Sequence, residues 1–277
     1  MSNSGKKAIL ITGATDGLGK AIAERLVARG WRVLLHGRNA AKGGALCEAL
    51  RERTGNHDVH YFNADLSSLK DTKDFAAAVL DAEPRLDVLV NNAGIGPISA
   101  DAPRRESKDG HELFFAVNYL AGYLLTRELL PLLHRSAPAR IINVASIGQQ
   151  AIDFDDVMLT QDYDDMRAYR QSKLAQILFT FDLAEELQGS GVTVNCLHPA
   201  TLMPTQMVNE SQCFPGPMST LEQGVEALDQ LVSSQALSAV NGAYYDGKQQ
   251  GRANDQAYDR QARLRLRNLS NALIADV

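Results

Sequence analysis

The stretch Ala8-Ile9-Leu10-Ile11-Thr12-Gly13-Ala14-Thr15-Asp16-Gly17-Leu18-Gly19 decides the fold. Four consecutive apolar residues ending at Thr12-Gly13 read as a strand buried on both faces, the habit of a parallel sheet. Three glycines follow, then a helical pattern over residues 20–29 with Ala21, Ile22, Leu26 and Val27 apolar and Gly30 as its stop. Residues 31–35 form a second strand. Strand, glycine-rich turn, helix and strand close within roughly thirty residues, the size of a βαβ unit.

Outward from that unit the alternation repeats. Helical patterns over residues 42–53 and 69–80 precede strands at 59–63 and 86–90. A long helix over 110–133 leads to a strand at 140–144, and a helix over 168–188 precedes a strand at 193–196. This rhythm predicts a single α/β domain over 1–277, a Rossmann-type doubly wound parallel sheet with helices on both faces. Residues 1–145 form its cofactor half and 146–277 its catalytic and substrate half. Two stretches break the rhythm. Residues 153–165 hold six aspartates and read as a surface excursion, and 199–217 form a long loop with Met203, Met207 and Phe214, followed by Met218. Those methionines suit a flexible lid over a greasy substrate and ordinary core filler equally well. A final helix over 255–274 carries Arg260, Arg263, Arg265 and Arg267, and reads as a solvated face.

Glycines between a buried strand and a helix let the backbone approach a pyrophosphate, and the helix N-terminus adds unpaired N–H groups and partial positive charge. Gly13, Gly17 and Gly19, with Thr15, Asp16 and Leu18 between them, are therefore candidate dinucleotide-binding residues. At the end of the second strand, Leu35-His36-Gly37-Arg38-Asn39 has no carboxylate for a ribose 2′-hydroxyl. A guanidinium there suits a 2′-phosphate, so Arg38 points to NADP(H) over NAD(H).

Chemistry can be placed on the later motifs. A carbonyl that receives hydride needs a proton at the same oxygen, and a phenol of pKa about 10 is too weak an acid unless something favours phenolate. Tyr169 and Lys173 lie one helical turn apart, where an ammonium would favour it. Ser146, just past an apolar strand, can donate to the developing oxyanion. Asn118 is a costly amide inside the apolar stretch 113–125.

These marks resemble those of the short-chain dehydrogenase/reductases across nearly the whole chain: Thr12 to Gly19, Asp65-Leu66, Asn91-Asn92-Ala93-Gly94, Asn118, Ser146 and Tyr169-Arg170-Gln171-Ser172-Lys173. The run from Tyr169 to Thr180 looks most like the retinol-dehydrogenase-like branch. The resemblance implies that Asn118, Ser146, Tyr169 and Lys173 are catalytic. It places Asp65 and Leu66 at the adenine, Asn91, Ala93 and Gly94 along the adenine-ribose side, and Lys173 at the nicotinamide ribose. Asn118 would hold a water linking the lysine to solvent. The chain departs from the pattern in the 23-residue interval between Ser146 and Tyr169, longer than is common. It departs again in Pro199-Ala200-Thr201-Leu202-Met203-Pro204-Thr205, where alanine replaces glycine. Pro199 and Thr201 are expected at the nicotinamide amide, with Thr205 as the alternative hydroxyl.

The net charge of −5 gives nothing that would draw the chain to nucleic acid or anionic lipid, and neither is expected as a partner. Cys47, Cys196 and Cys213 are too scattered for a disulfide framework or zinc site, and no metal is expected. The polar N-terminus runs into only four apolar residues, which reads as neither signal peptide nor membrane span, so the expected location is cytoplasmic. The expected activity is an NADP(H)-dependent carbonyl reductase or alcohol dehydrogenase on an apolar aldehyde, ketone or secondary alcohol. The alternatives are an inactive NAD(P)-binding regulatory or scaffold protein on the same fold, and an epimerase or dehydratase with tightly held NAD(P). A homo-oligomer is left open.

Overall fold

The computed structural model describes residues 5–275 and 277. Its centre is one sheet in the order β3-β2-β1-β4-β5-β6-β7-β8. The strands are β1 (Ala8–Ile11), β2 (Arg32–Gly37), β3 (Val59–Asn63), β4 (Val88–Asn91), β5 (Ala139–Val144), β6 (Val192–His198), β7 (Tyr244–Asp246) and β8 (Gln249–Gln250). Every pairing is parallel except β7 with β8. Starting at β1 the chain winds outward to β3, then returns past β1 to β4 and onward. The order reverses between β1 and β4, and in such sheets ligands bind at the carboxyl ends of the strands on either side of that point.

Between the strands lie α1 (Gly17–Ala28), α2 (Ala40–Thr54), α3 (Leu69–Ala82), α4 (Ala121–Arg135), α5 (Asp165–Glu186), a one-turn α6 (Gln206–Asn209), α7 (Leu221–Ser233) and α8 (Arg260–Ile274). Two apolar cores result. One face of the sheet, with Leu10, Leu34, Leu89 and Ile141, packs on α3, α4 and α5; the other, with Ile9, Ile11, Val33 and Val90, packs on α1, α2 and α7. The strands therefore read as unbroken apolar runs because both faces are covered.

Several expectations need correction. Helix α1 begins at Gly17, inside the glycine turn, where the Asp16 carboxylate accepts from the Gly17 N–H. The predicted helix over 110–133 is not uniform: Phe115–Leu120 is a π-helical stretch that continues directly into α4. One turn with an extra residue re-aims the side chains within it, and such stretches often mark functional sites. The aspartate-rich excursion lacks regular structure over 153–164, as expected, but its last member, Asp165, is fully buried. The C-terminal arginines are not a solvated row. Arg263 is buried and bonded to Glu185 and Arg267 pairs with Asp182, which ties α8 to α5, whereas Arg260 and Arg265 are exposed, Arg265 beside Asp155 of the excursion. Buried hydroxyls reinforce the seam, Tyr119 to Ser270 and Tyr123 to Asn271. Among the described residues no helix is long and apolar enough to cross a membrane.

Candidate active site

Thr12, the last residue before the turn, fixes the first half of the site. Its Oγ1 accepts from the N–H groups of Asn92 and Ala93, both at 2.9 Å, while Asn92 Nδ2 donates to the carbonyls of Thr12 and Gly13. The glycine turn and the segment after β4 are thus one rigid unit. Gly13 has φ +64°, and a Cβ there would lie 2.8 Å from Ala93 Cα. At Gly19 a Cβ would lie 2.4 Å from the Gly13 carbonyl oxygen. The first glycine allows the turn and the third lets helix meet turn. Thr15 packs on Gly37, Asp16 is exposed at the helix N-cap, and the Leu18 side chain is buried in the core, leaving its main chain to the turn.

His36, not singled out in the sequence, pins this turn from the β2 side. Its Nδ1 accepts from the Gly13 N–H and its Nε2 donates to the Ala64 carbonyl, with the ring stacked on Phe75. Burial lowers its pKa from 6.5 to about 4, so it is a neutral imidazole at ordinary pH. Arg38 follows, exposed at the end of β2. Beyond it Asp65 accepts from Ser67 N and Oγ and pairs with Lys108, and Leu66 is buried behind it.

Asn91 differs from its expectation. Its Nδ2 donates to Thr126 Oγ1 and Asn143 Oδ1, and Asn143 in turn donates to Thr180 Oγ1. That buried chain joins β4 and β5 to α4 and α5, so Asn91 offers only its main chain to the ligand side. The signal was present in the sequence: amides inside two adjacent apolar strands, in register opposite each other.

The second half converges on Tyr169. Its ring is buried, edge-on to Phe114 at 6.4 Å. Ser146, beyond β5, accepts the Gly148 N–H at 3.0 Å, which leaves its own O–H to donate. Burial pushes the Tyr169 phenol up, and the Ser146 hydroxyl pulls it back. Lys173 is anchored apart from the phenol. Its Nζ donates to Val144 O and Gln176 Oε1, both 3.0 Å, and burial brings it down from 10.5 to about 7. With two of three ammonium donors used, one remains. It faces Gly94, where a Cβ would stand 3.5 Å from Nζ and 3.2 Å from Asn118 Oδ1. Asn118, in the π-helical stretch, holds the Ile95 main chain from both sides: Oδ1 accepts its N–H at 2.7 Å and Nδ2 donates to its carbonyl at 3.1 Å. The same Nδ2 reaches Ser172 Oγ at 3.0 Å.

The loop after β6 closes the far side. Pro199 is buried and Thr201 is engaged with His198 at 3.1 Å. Thr205 packs its methyl on the glycine turn, where a Cβ on Gly17 would lie 3.0 Å from its Cγ2. Met203 fills core against Gly224, Met207 presses on Gly96, and only Met218 is well exposed. Tyr163 is taken up elsewhere, donating to the buried Asp165 at 2.9 Å. Among the described residues no group of His, Cys, Asp and Glu could hold a metal ion.

The cradle fits a nicotinamide dinucleotide. The glycine turn delivers the N-terminus of α1 to the carboxyl end of β1, and Gly94 leaves free the position beside Lys173 and Asn118 that a side chain would crowd, with an amine carrying a spare donor there. The model of the short chain dehydrogenase family matches residues 7–214. Retinol dehydrogenase 13 of Homo sapiens is 39% identical over 94% of this chain and 82% of its own length. Retinol dehydrogenase 14 of Homo sapiens is 35% identical, covering 97% and 86%. Among solved structures, a short chain dehydrogenase of Shigella flexneri complexed with NADP superposes with a TM-score of 0.72 at 26% identity, covering 88% of this chain and 97% of that one. One from Escherichia coli complexed with NADPH gives the same TM-score, identity and coverage.

Proposed function

The chain belongs to the short-chain dehydrogenases and is an oxidoreductase of their retinol-dehydrogenase-like branch, and from that premise we propose that it uses NADP(H) to interconvert an apolar aldehyde or ketone and its alcohol. The observation that carries the reading is the meeting of Ser146 and Tyr169 at Gly148, with Lys173 Nζ 5.9 Å from the Tyr169 ring and next to Gly94.

Bound there, the nicotinamide supplies or takes up the hydride. The chain's own residues handle the oxygen. Tyr169 carries its proton at neutral pH, because burial raises its pKa, and in reduction it delivers that proton to the carbonyl oxygen. Ser146, its lone pair occupied by Gly148, donates to the same oxygen and stabilises charge developing there. Lys173 is anchored by Val144 and Gln176, and its third donor would be left for the ribose hydroxyls. Asn118 fixes the segment between Gly94 and Ile95 that separates them. Arg38 would hold the 2′-phosphate, and Gly13 to Gly19 would hold the pyrophosphate.

The substrate is proposed as apolar because Phe114, Leu159 and Ala168 pack with Tyr169, with Ile95 and Met166 against them, and because relatives named retinol dehydrogenases share nearly the whole chain. The test is a titration of the purified protein with NADPH and NADH by nicotinamide fluorescence, followed by turnover with a panel of apolar aldehydes that includes retinal. NADPH-dependent aldehyde reduction supports the reading. Cofactor binding without turnover of any panel member favours an inactive dinucleotide-binding protein instead.

A further inference from the structure

Two acceptors set the direction of the buried Lys173 amine, and only one of them is main chain. Val144 O, at the end of β5, and Gln176 Oε1, one turn farther along α5, each stand 3.0 Å from Nζ. Gln176 is itself buried. An ammonium has three donors and no acceptor, so the Gln176 amide must turn its oxygen to Nζ. Two bonds on one tetrahedral centre fix the third N–H, the one left on the side of Gly94. Both anchors belong to one buried network. Thr180 Oγ1 donates to the Gln176 carbonyl at 2.7 Å and accepts from Asn143 Nδ2 at 2.9 Å. Asn143 precedes Val144 on β5, and its Oδ1 accepts from Asn91. The amide chain that occupies the Asn91 side chain therefore sets β5 against α5 at the place where Lys173 is held.

The side-chain acceptor is also uncharged. The titratable groups around Nζ are Tyr169 on the same helix, its ring centre 5.9 Å away, and His198 at the end of β6. Burial first, and the nearby lysine, hold that imidazole toward its neutral form, against the pull of Asp246 beyond it. Among the described residues no carboxylate lies within ion-pair distance of Nζ, so nothing offsets the charge of the ammonium. We propose that Gln176 is a positioning residue for Lys173: with Val144 O it fixes the direction of the third N–H, and as a neutral acceptor it leaves the amine able to release its proton without breaking an ion pair. The inference rests on the reading of Lys173 as part of a dehydrogenase site. A glutamate in the same place would make the same contact but favour the charged amine. A methionine would fill the space and offer only a weak acceptor, which leaves the ammonium one partner short.

The experiment follows the Cε resonance of Lys173 against pH in protein carrying isotope-labelled lysine, without nucleotide, the signal being identified by its loss in Lys173→Met. Wild type titrates near the value of about 7 that burial gives this amine. The midpoint moves up in Gln176→Glu and down in Gln176→Met, each by about one pH unit, the tenfold change in proton affinity that one charge-assisted contact represents. Steady-state reduction of an apolar aldehyde with NADPH runs alongside, with melting temperatures to confirm folding. In Gln176→Met kcat falls by about ten- to a hundredfold, the scale of a misplaced reacting group, while the aldehyde KM stays within about twofold. In Gln176→Glu the pH profile of kcat moves up with the Cε titration. A Lys173 midpoint unchanged in Gln176→Met, or moving the same way in both variants, overturns the proposal whatever the turnover. So does a Gln176→Met variant with wild-type kcat. Where Gln176→Met does not fold, Gln176→Glu decides, and a midpoint that stays at the wild-type value overturns the contact. If the two titrations part as stated but wild type reduces no aldehyde, the role of Gln176 toward the amine stands and the reading of the site as an active dehydrogenase falls.

Discussion

Lys173 Nζ lies 5.9 Å from the centre of the Tyr169 ring, and its hydrogen bonds run to Val144 O and Gln176 Oε1. The amine is thus anchored without help from the phenol, and the two roles can be separated by mutation. Tyr169→Phe removes the proton donor and leaves the amine in place. Turnover should fall by at least about a thousandfold, within the usual worth of a positioned acid/base, while the NADPH dissociation constant stays within about twofold, less than the 1.4 kcal/mol that a factor of ten represents. Steady-state kinetics and a fluorescence titration check both halves. A variant of unchanged rate sinks the assignment of Tyr169.

The same anchoring makes Lys173 a stability liability. Its pKa is about 7 in the folded chain against 10.5 for an ordinary lysine, because it is buried with no carboxylate beside it. Between those values the unfolded chain binds more protons, so the penalty is full below pH 7 and fades as pH rises toward 10.5. Lys173→Met should therefore be inactive yet more stable than wild type at pH 6, by on the order of 1–3 kcal/mol after lost hydrogen bonds are counted. The advantage should shrink by pH 9. Urea unfolding at the two pH values measures it, and a variant less stable at both contradicts the argument.

Much of this was legible in the residues. The strand β1, the three glycines and the alternation of elements specify the sheet, because a parallel strand buried on both faces leaves an unbroken apolar run. Tyr169 and Lys173 stand out by spacing and Ser146 by its place after β5; Ser146 Oγ and the Tyr169 ring both border Gly148, with Lys173 Nζ 5.9 Å from that ring. What sequence concealed is mostly burial. One helical turn between Tyr169 and Lys173 says nothing of desolvation, which pushes the buried phenol up while the Ser146 hydroxyl pulls it back. Spacing alone does not show that Thr201 is engaged with His198 while the Thr205 methyl packs on Gly17. The arginines of α8 looked solvated because their partners, Asp182 and Glu185, lie some eighty residues away on α5.

Two glycines should fail in different ways. Gly13→Ala puts a side chain at φ +64° and within 2.8 Å of the Ala93 backbone, which cannot retreat, so it should destabilise the fold by roughly 2–4 kcal/mol. Gly94→Ala meets Asn118 Oδ1 at 3.2 Å and Lys173 Nζ at 3.5 Å with no positive φ. It should fold within about 1 kcal/mol of wild type, an ordinary cost for a small fit, and lose cofactor affinity by more than about tenfold. Thermal denaturation paired with NADPH titration separates the two; equal melting temperatures would contradict the first half.

Asn118 should prove as much a brace as a catalytic group. Both polar ends of its amide are spent on Ile95, and the π-helical stretch is what turns it there. Asn118→Ala leaves a peptide N–H and a carbonyl without partners beside Gly94, a loss of about 2–3 kcal/mol for groups that water reaches only in part. Asn118→Asp keeps the acceptor for the Ile95 N–H and should recover part of that stability but little turnover. Melting temperatures of the two variants decide it: no difference between them means that the amide does not hold Ile95.

His36 gives the clearest pH signature. The folded chain keeps it neutral, with a pKa of about 4 against 6.5 when exposed, because protonation would put a charge in a buried site. A proton would also occupy Nδ1, the acceptor for the Gly13 N–H. Below pH 6.5 the unfolded chain takes up that proton first, so stability falls as pH drops toward 4, by up to roughly 3 kcal/mol in total. The loss should be felt at the glycine turn, because Gly13 is what His36 holds. NADPH affinity is therefore expected to weaken over the same interval, ahead of global unfolding. His36→Gln keeps an amide oxygen and nitrogen for Gly13 and Ala64 but cannot titrate, so its stability should be lower at pH 7.5 and flatter between pH 6.5 and 4.5. Chemical unfolding across that range measures both; a His36→Gln variant as acid-sensitive as wild type would assign the loss to the carboxylates instead.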